Sequence, residues 1–234
     1  MPGAGVLPCP TMTDEVQWRI GGRRVVAAAA GVTGRRYDRN YDVFHLDPDR
    51  PLAVVADGMG AGEGSAAAGR ITVRTFVALA GDPAPAALRA VTARAHEGVR
   101  TQVRTRDGLT GCTLTALTAV ADDDGAAVRI VQLGDSRAYR LRDGLLELLT
   151  VDHTVAWLGL VHGWYAASDP RAEADGYRLI RYVGHPDRPE PDVVEVAVRP
   201  GDRLLLCTDG VSGQLDYPTL GRLLGGAGPA GGSS

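Results

Sequence analysis

The chain has no lysine; arginine carries all of its basic charge, against abundant alanine and glycine, a bias of GC-rich coding that says nothing about chemistry. Cysteine is scarce as well. Cys9, Cys112 and Cys207 stand far apart and in no Cys-x-x-Cys arrangement, which argues against a disulfide scaffold or a zinc site and fits a reducing compartment. Neither sign of charge is in strong excess: the formal net charge is −3, so no basic field recommends nucleic acid or an anionic membrane as a partner. No apolar run approaches about 18 residues, so no membrane-spanning helix is expected. The first twenty residues lack a basic start followed by an apolar core, so no signal peptide is expected and the expected compartment is the cytoplasm. No internal repeat is found.

With 234 residues, 44% of them apolar and 23% charged, the chain has the make-up of one ordinary globular domain with a sizeable core. Met1 to about Arg19 carries Gly, Pro and Thr without period, so a flexible tail is expected over 1–22. Strands are expected at Arg24–Val32, Val43–Leu46 and Leu52–Ala56, then helices over Glu63–Leu79 and Ala86–Arg104, the second with Leu88, Val91, Ala95, Val99 and Val103 on one face. Short strands follow at 113–120, 126–133, 138–141 and 145–148, a meander with turns at Asp122–Gly125 and Arg142–Gly144. An amphipathic helix with Trp157, Leu158, Leu160 and Val161 is expected after Thr154, and another from Ser168-Asp169-Pro170. Strands over 193–198 and 203–208 and a short helix over 218–224 complete a domain spanning 23–224. Residues 225–234 are a Gly/Ala/Ser tail. The order of elements is that of an α+β protein.

Two stretches stand out. Val54-Val55-Ala56-Asp57-Gly58-Met59-Gly60 and Leu204-Leu205-Leu206-Cys207-Thr208-Asp209-Gly210 each end an apolar strand in one carboxylate and a glycine turn. Asp-Gly occurs six times, at Asp57, Asp107, Asp124, Asp143, Asp175 and Asp209, and is by itself an ordinary turn dipeptide. Only Asp57 and Asp209 end long apolar runs that lead into helix-like segments. Two carboxylates at the mouths of two strands can meet across a cleft and hold a hard divalent cation. Arginines 89, 94, 100, 104 and 106 read as a solvated helix face.

The ordered set Asn40-Tyr41-Asp42, Ala56-Asp57-Gly58-Met59-Gly60, Gly111-Cys112-Thr113, Gly134-Asp135-Ser136-Arg137, Thr150-Val151-Asp152-His153, Val183-Gly184 and Gly201-Asp202 through Asp209-Gly210 resembles the PPM family, the metal-dependent (type 2C) Ser/Thr protein phosphatases, in compact bacterial form. The resemblance spans about Val25 to Leu224. It implies a four-layer α-β-β-α sandwich, two antiparallel sheets flanked by helices, with two Mn²⁺ or Mg²⁺ ions and a third, weaker site. It also implies direct attack of a bridging water on phosphoserine or phosphothreonine, with phosphorylated proteins as substrates and a Ser/Thr kinase system as counterpart. Carried over by position, Asp57 bridges the metals, the Gly58 carbonyl serves one and Asp209 the other. Asp135 shares the third site with Asp209, and Asp42 orders water; Asp57, Asp42 and Asp209 form the expected catalytic set. Tyr37 occupies the usual spacing of the phosphate-binding Arg, with Arg36 and Arg39 as neighbours able to substitute, and Arg36 is the expected phosphate ligand. Met59 stands where some relatives carry a histidine acid. His153 reads as a neighbour of a helix cap.

Two departures accompany the resemblance. Tyr41 replaces the Glu of the family's Asn-Glu-Asp, and the strand beginning Asp-Asn that should follow the helix near Leu220 gives way to Gly, Ala and Ser. Each metal thereby lacks one carboxylate, which points to weaker metal binding or to a domain that binds phosphoproteins without hydrolysing them. A haloacid-dehalogenase-type reading fails because Cys207 stands where the nucleophilic Asp is needed. A cysteine-dependent reading fails because neither Cys112 nor Cys207 has a glycine-rich loop and nearby Arg.

Overall fold

The computed structural model describes residues 11–12, 15–34, 39–60, 62–103, 110–122 and 125–226. Its main sheet has five antiparallel strands in the order β11-β8-β7-β6-β5. These are β5 (Val43–Leu46), β6 (Leu52–Ala56), β7 (Leu114–Asp122), β8 (Gly125–Leu133) and β11 (Asp192–Ala197). A second sheet runs β10-β9-β12, from β9 (Arg137–Arg142), β10 (Leu145–Leu148) and β12 (Arg203–Cys207). Two pairs complete the strands: β2 (Val16–Ile20) with β3 (Arg23–Ala27), and β1 (Thr11–Met12) with β4 (Ala30–Gly31). Among the described residues there are six helices: α1 (Glu63–Leu79), α2 (Pro85–Gln102), α3 (Val155–Val161), α4 (Pro170–Gly176), α5 (Asp209–Ser212) and α6 (Tyr217–Leu224).

Strand alternation divides the core. Val54 and Ala56 of β6, Leu114 and Ala116 of β7, and Val131 and Leu133 of β8 point one way, against Phe76 of α1 and Leu88, Val91, Ala95 and Val99 of α2. The α2 face is the one its three- and four-residue spacing predicts, and Pro85 opens the helix where a missing N–H costs nothing. The next residues in phase, Leu117, Val128 and Ile130, point the other way. They meet Ile20 of the β2–β3 hairpin, Ala138 of β9, and Leu204 and Leu206 of β12. A third cluster joins Tyr139, Leu146 and Cys207 to Leu220 of α6, whose first turn is capped by Asp216 accepting from the Thr219 N–H at 2.7 Å.

Three stretches differ from the expected pattern. Val16–Ile20 lies inside the expected tail, yet pairs with β3 and buries Trp18 and Ile20, with the Trp18 indole donating to the Asp47 carbonyl at 2.8 Å. The expected strand over Arg24–Val32 breaks at Ala28 and Ala29 into β3 and β4, two strands with different partners. Helix α3 spans only seven residues, and Trp157, Leu160 and Val161 stay exposed although α4 packs against the helix. The expected turn at Arg142–Gly144 forms, Asp143-Gly144 taking the positive φ values, 50° and 80°, of a tight hairpin, while the centre of the other expected meander turn, residues 123–124, lies outside the described residues.

Candidate active site

The register of β5 on β6 pairs Val43 with Ala56, so the next residues out, Asp42 and Asp57, leave the same end of the sheet side by side. Asp209 arrives from the other sheet, at the start of α5 directly after β12. Thr208 ties the two sheets together, its Oγ1 donating to Asp42 Oδ2 at 2.8 Å. Asp57 lies within hydrogen-bonding reach of both Asp42 and Asp209. Burial, then the charges of Asp42 and Asp209, push its carboxyl up to about 9. Burial also raises Asp42, against the lowering hydrogen bond from Thr208.

The backbone at Asp57 is fixed from one side. Its N–H donates to Thr113 Oγ1 at 2.8 Å, its carbonyl accepts from the Thr113 N–H at 2.9 Å, and Met59 N–H donates to the Gly111 carbonyl at 3.0 Å. Those bonds belong to the residues flanking Gly58 in its bridge with Cys112, so the N–H and C=O of Gly58 itself face away from that partner. A side chain at Gly58 would collide with the Ser65 carbonyl at 2.8 Å, which is why α1 can start so close to the turn. The Ser65 hydroxyl donates to the Met59 carbonyl.

Asp135 sits on the turn between β8 and β9, where the chain passes from one sheet to the other. Burial, then Asp152 and Asp209, push its carboxyl up to about 6, so it belongs to the electrostatic neighbourhood of Asp209. Gly134 adopts φ +112° with Thr113 packed where a side chain would stand, its would-be Cβ 2.7 Å from Thr113 Cγ2. Ser136 lies 2.6 Å from Thr113 Oγ1, joining this turn to the Asp57 backbone.

His153, read from sequence as a helix-cap neighbour, has a larger part. Its ring is buried, Nδ1 accepts from the Gly134 N–H at 3.1 Å, and Nε2 lies 3.0 Å from Asp192 Oδ2. Two groups of opposite charge face Nε2, Asp192 Oδ2 and Arg181 Nη1, the latter at 2.8 Å. Arg181 holds the other Asp192 oxygen at 2.9 Å. Thr113, Thr208, Ser136 and His153 thus support the site; each lies in one of the motifs picked out in sequence, but no supporting role could be assigned to it there. Arg36, the expected phosphate ligand, lies outside the described residues. Its neighbour Arg39 reaches Glu63 at 3.6 Å. Tyr41 is half-buried between Asn40, whose Oδ1 accepts from the Asp42 N–H at 3.0 Å, and Asp42.

The donor set suits a hard divalent cation: several carboxylates, an available carbonyl, and repulsion at Asp57 that a positive charge would relieve. The carboxylates close upon one another, and among the described residues no three His, Cys, Asp or Glu side chains surround a common point in ligand geometry.

Residues 35–224 match the family model for protein phosphatase 2C. The serine/threonine phosphatase stp of Listeria monocytogenes is 26% identical over 193 residues, 79% of this chain and 76% of that protein. The serine/threonine protein phosphatase PstP of Mycobacterium tuberculosis is 30% identical over 174 residues, 72% of this chain and 33% of that longer protein. A crystal structure of M. tuberculosis PstP superposes with a TM-score of 0.69 at 26% identity, covering 91% of this chain and 84% of that one. The PstP catalytic domain in complex with two manganese ions gives 0.65 at 27% identity over 92% and 83%. The chain belongs to the protein phosphatase 2C family, the PPM-type serine/threonine protein phosphatases.

Proposed function

We propose that Asp57, the Gly58 carbonyl and Asp209 hold two divalent cations, Mn²⁺ or Mg²⁺, and that Asp135 with Asp209 offers a third, weaker site. Bound there, the cations would supply Lewis acidity, lowering the pKa of a water and neutralising charge on phosphoryl oxygens. The chain's own residues do the rest. Thr113 and Gly111 fix the backbone that carries Asp57, Thr208 orients Asp42, and Asp42 orders water beside Asp57. Met59 offers no acid, so the leaving oxygen takes its proton from solvent. Arg36 is the proposed phosphate ligand. The substrates are phosphoproteins, with a Ser/Thr kinase as the natural source of the phosphoryl group and the cytoplasm as the proposed setting. The layers proposed are α1 and α2, the five-stranded sheet, the β10-β9-β12 sheet, then α5 and α6.

One observation carries this reading: Asp57 meets carboxylates from both sheets at the strand ends, in surroundings that penalise its charge. The test is hydrolysis of a phosphothreonine peptide as Mn²⁺ is added. Turnover is expected to saturate with metal and to fall at least about a hundredfold in Asp57→Asn; wild-type rates in that variant would remove Asp57 from the centre. A second reading, a domain that binds phosphoproteins without hydrolysis, draws on Tyr41 and the closed-up carboxylates. A folded chain that binds the peptide and shows no metal-dependent turnover would establish it.

A further inference from the structure

Helix α2 carries a buried histidine that the proposed centre does not use. His96 is 1% exposed, and both of its ring nitrogens are engaged. Nδ1 accepts from the Gly184 N–H at 3.0 Å, which leaves the ring proton on Nε2, and Nε2 donates it to the Pro189 carbonyl at 3.1 Å. Only the neutral ring makes both bonds. Burial holds the pKa of the ring below its ordinary value, against the raising bond to Pro189 and with the help of the charges of Arg188, His185 and Arg100.

The two bonds grip both ends of the loop 184–189, and the first end leads back to Asp57. Val183, directly before Gly184, exchanges a pair of backbone bonds with Cys112: its carbonyl accepts from the Cys112 N–H at 3.1 Å, and its N–H donates to the Cys112 carbonyl at 2.9 Å. The opposite edge of residues 111–113 carries the bonds to Asp57 and Met59 that set the direction of the Gly58 carbonyl. Residues 111–113 thus lie between 57–59 on one side and Val183 on the other, with His96 behind Val183. Gly184 is pressed against the same segment. Its φ is +98°, and a Cβ there would lie 2.7 Å from the Thr110 carbonyl oxygen and 2.9 Å from Val99 Cγ1. The other ties from this loop to α2, Arg188 with Glu97 at 3.0 Å and Arg100 with the His185 carbonyl at 3.5 Å, are exposed and contribute little.

We propose that His96 is a positioning residue for the metal centre, holding through Nδ1 the Gly184 N–H and thereby the Val183–Cys112 pairing and the direction of the Gly58 carbonyl. The assignment rests on Asp57 and Gly58 as cation ligands. Without the Nδ1 acceptor the Gly184 N–H loses its partner, and a shift of the 183–184 backbone relieves it, which Cys112 must follow. An imidazole that only fills space needs neither bond. One that only steadies the loop needs the Pro189 bond as much as the Gly184 bond.

The test is calorimetric titration of Mn²⁺ into the full chain, with urea unfolding of each variant as the check on folding. His96→Asn places an oxygen acceptor as many bonds from Cβ as Nδ1 and nothing at Nε2. His96→Gln places an amide donor as many bonds from Cβ as Nε2 and nothing at Nδ1, and His96→Leu has neither. Kd for Mn²⁺ is expected to rise about fivefold or more in His96→Gln and His96→Leu, and to stay within about twofold of the wild type in His96→Asn. All three variants lose packing and some resistance to urea, so the split between Asn and Gln is the readout that a structural role alone does not produce. Wild-type affinity in His96→Leu would overturn the proposal, and so would equal weakening in His96→Asn and His96→Gln. A wild-type chain that binds no Mn²⁺, or binds it unchanged in Asp57→Asn, would overturn the centre and this proposal together, an outcome distinct from failure at His96 alone. A measurement on the wild type covers variants that do not fold. Coupling is reciprocal, so Mg²⁺ is expected to slow hydrogen exchange at the Gly184 amide at least about fivefold more than at the Val198 amide, which is bonded to Ala126. Equal slowing at both amides would overturn the proposal.

Discussion

At the scale of single residues, Asp57 works against the stability of the protein that carries it. Its carboxyl holds a proton up to about pH 9 in the fold, against 3.8 as its ordinary value. A raised folded pKa gives stability that is complete below the ordinary value and is lost as pH rises toward 9. The cation-free chain should therefore lose stability between about pH 4 and 9, and Asp57→Asn should flatten that slope. At pH 8 the variant is expected to melt at least about 2–4 °C above the cation-free wild type, the equivalent of about 1 kcal/mol. Added Mn²⁺ should raise Tm for the wild type and leave the variant unmoved. An equal metal response in both would refute the assignment of Asp57 as ligand. Tyr41 supplies the reciprocal test: Tyr41→Glu adds a carboxylate beside Asp42 and should tighten Mn²⁺ about tenfold or more. An unchanged Mn²⁺ titration would remove position 41 from the site.

At the scale of elements, the β8–β9 turn, the approach to α3 and the start of β11 meet at one imidazole. His153→Ala would strand the Gly134 N–H and Asp192 and leave a cavity, at about 2–4 kcal/mol. Urea unfolding should show a lower midpoint at unchanged slope; a midpoint like the wild type's would make the ring dispensable. Burial lowers the His153 pKa, so the stability of its neutral form is present above pH 6.5 and is given up as pH falls through the lowered value. None of this was legible in the sequence, because a buried histidine and a helix-cap neighbour have the same local pattern. The strands and the two long helices were legible, since β6 to β9 alternate or run apolar between turns and α2 keeps its three- and four-residue steps. So were Asp57 and Asp209, which close such strands. The hairpin over Val16–Ile20 carried a signal that composition hid: Trp18 and Ile20 alternate with Gln17 and Arg19 before Gly21-Gly22. The meeting of Asp42 with Asp57 depends on a strand register that residue types alone do not specify.

Across the whole molecule, packing is uneven. Strands β7 and β8 are covered on both faces, by the helices on one and by the hairpin and β12 on the other, and Leu114, Val131 and Leu133 have no exposed surface. The β12 side closes over a large cavity instead. Opening β7 or β8 must disrupt two clusters, while opening the hairpin disrupts part of one, so local unfolding should begin at β2–β3. Native-state hydrogen exchange is therefore expected to be slowest in β7, β8 and the buried face of α2, and at least about a hundredfold faster in the hairpin. Within β12 the rates should alternate. Leu205 and Cys207 donate to β9 and should be protected, whereas Leu204 and Leu206 face the open edge and should exchange about a hundredfold faster. Uniform protection along β12 would mean that its outer edge is already paired.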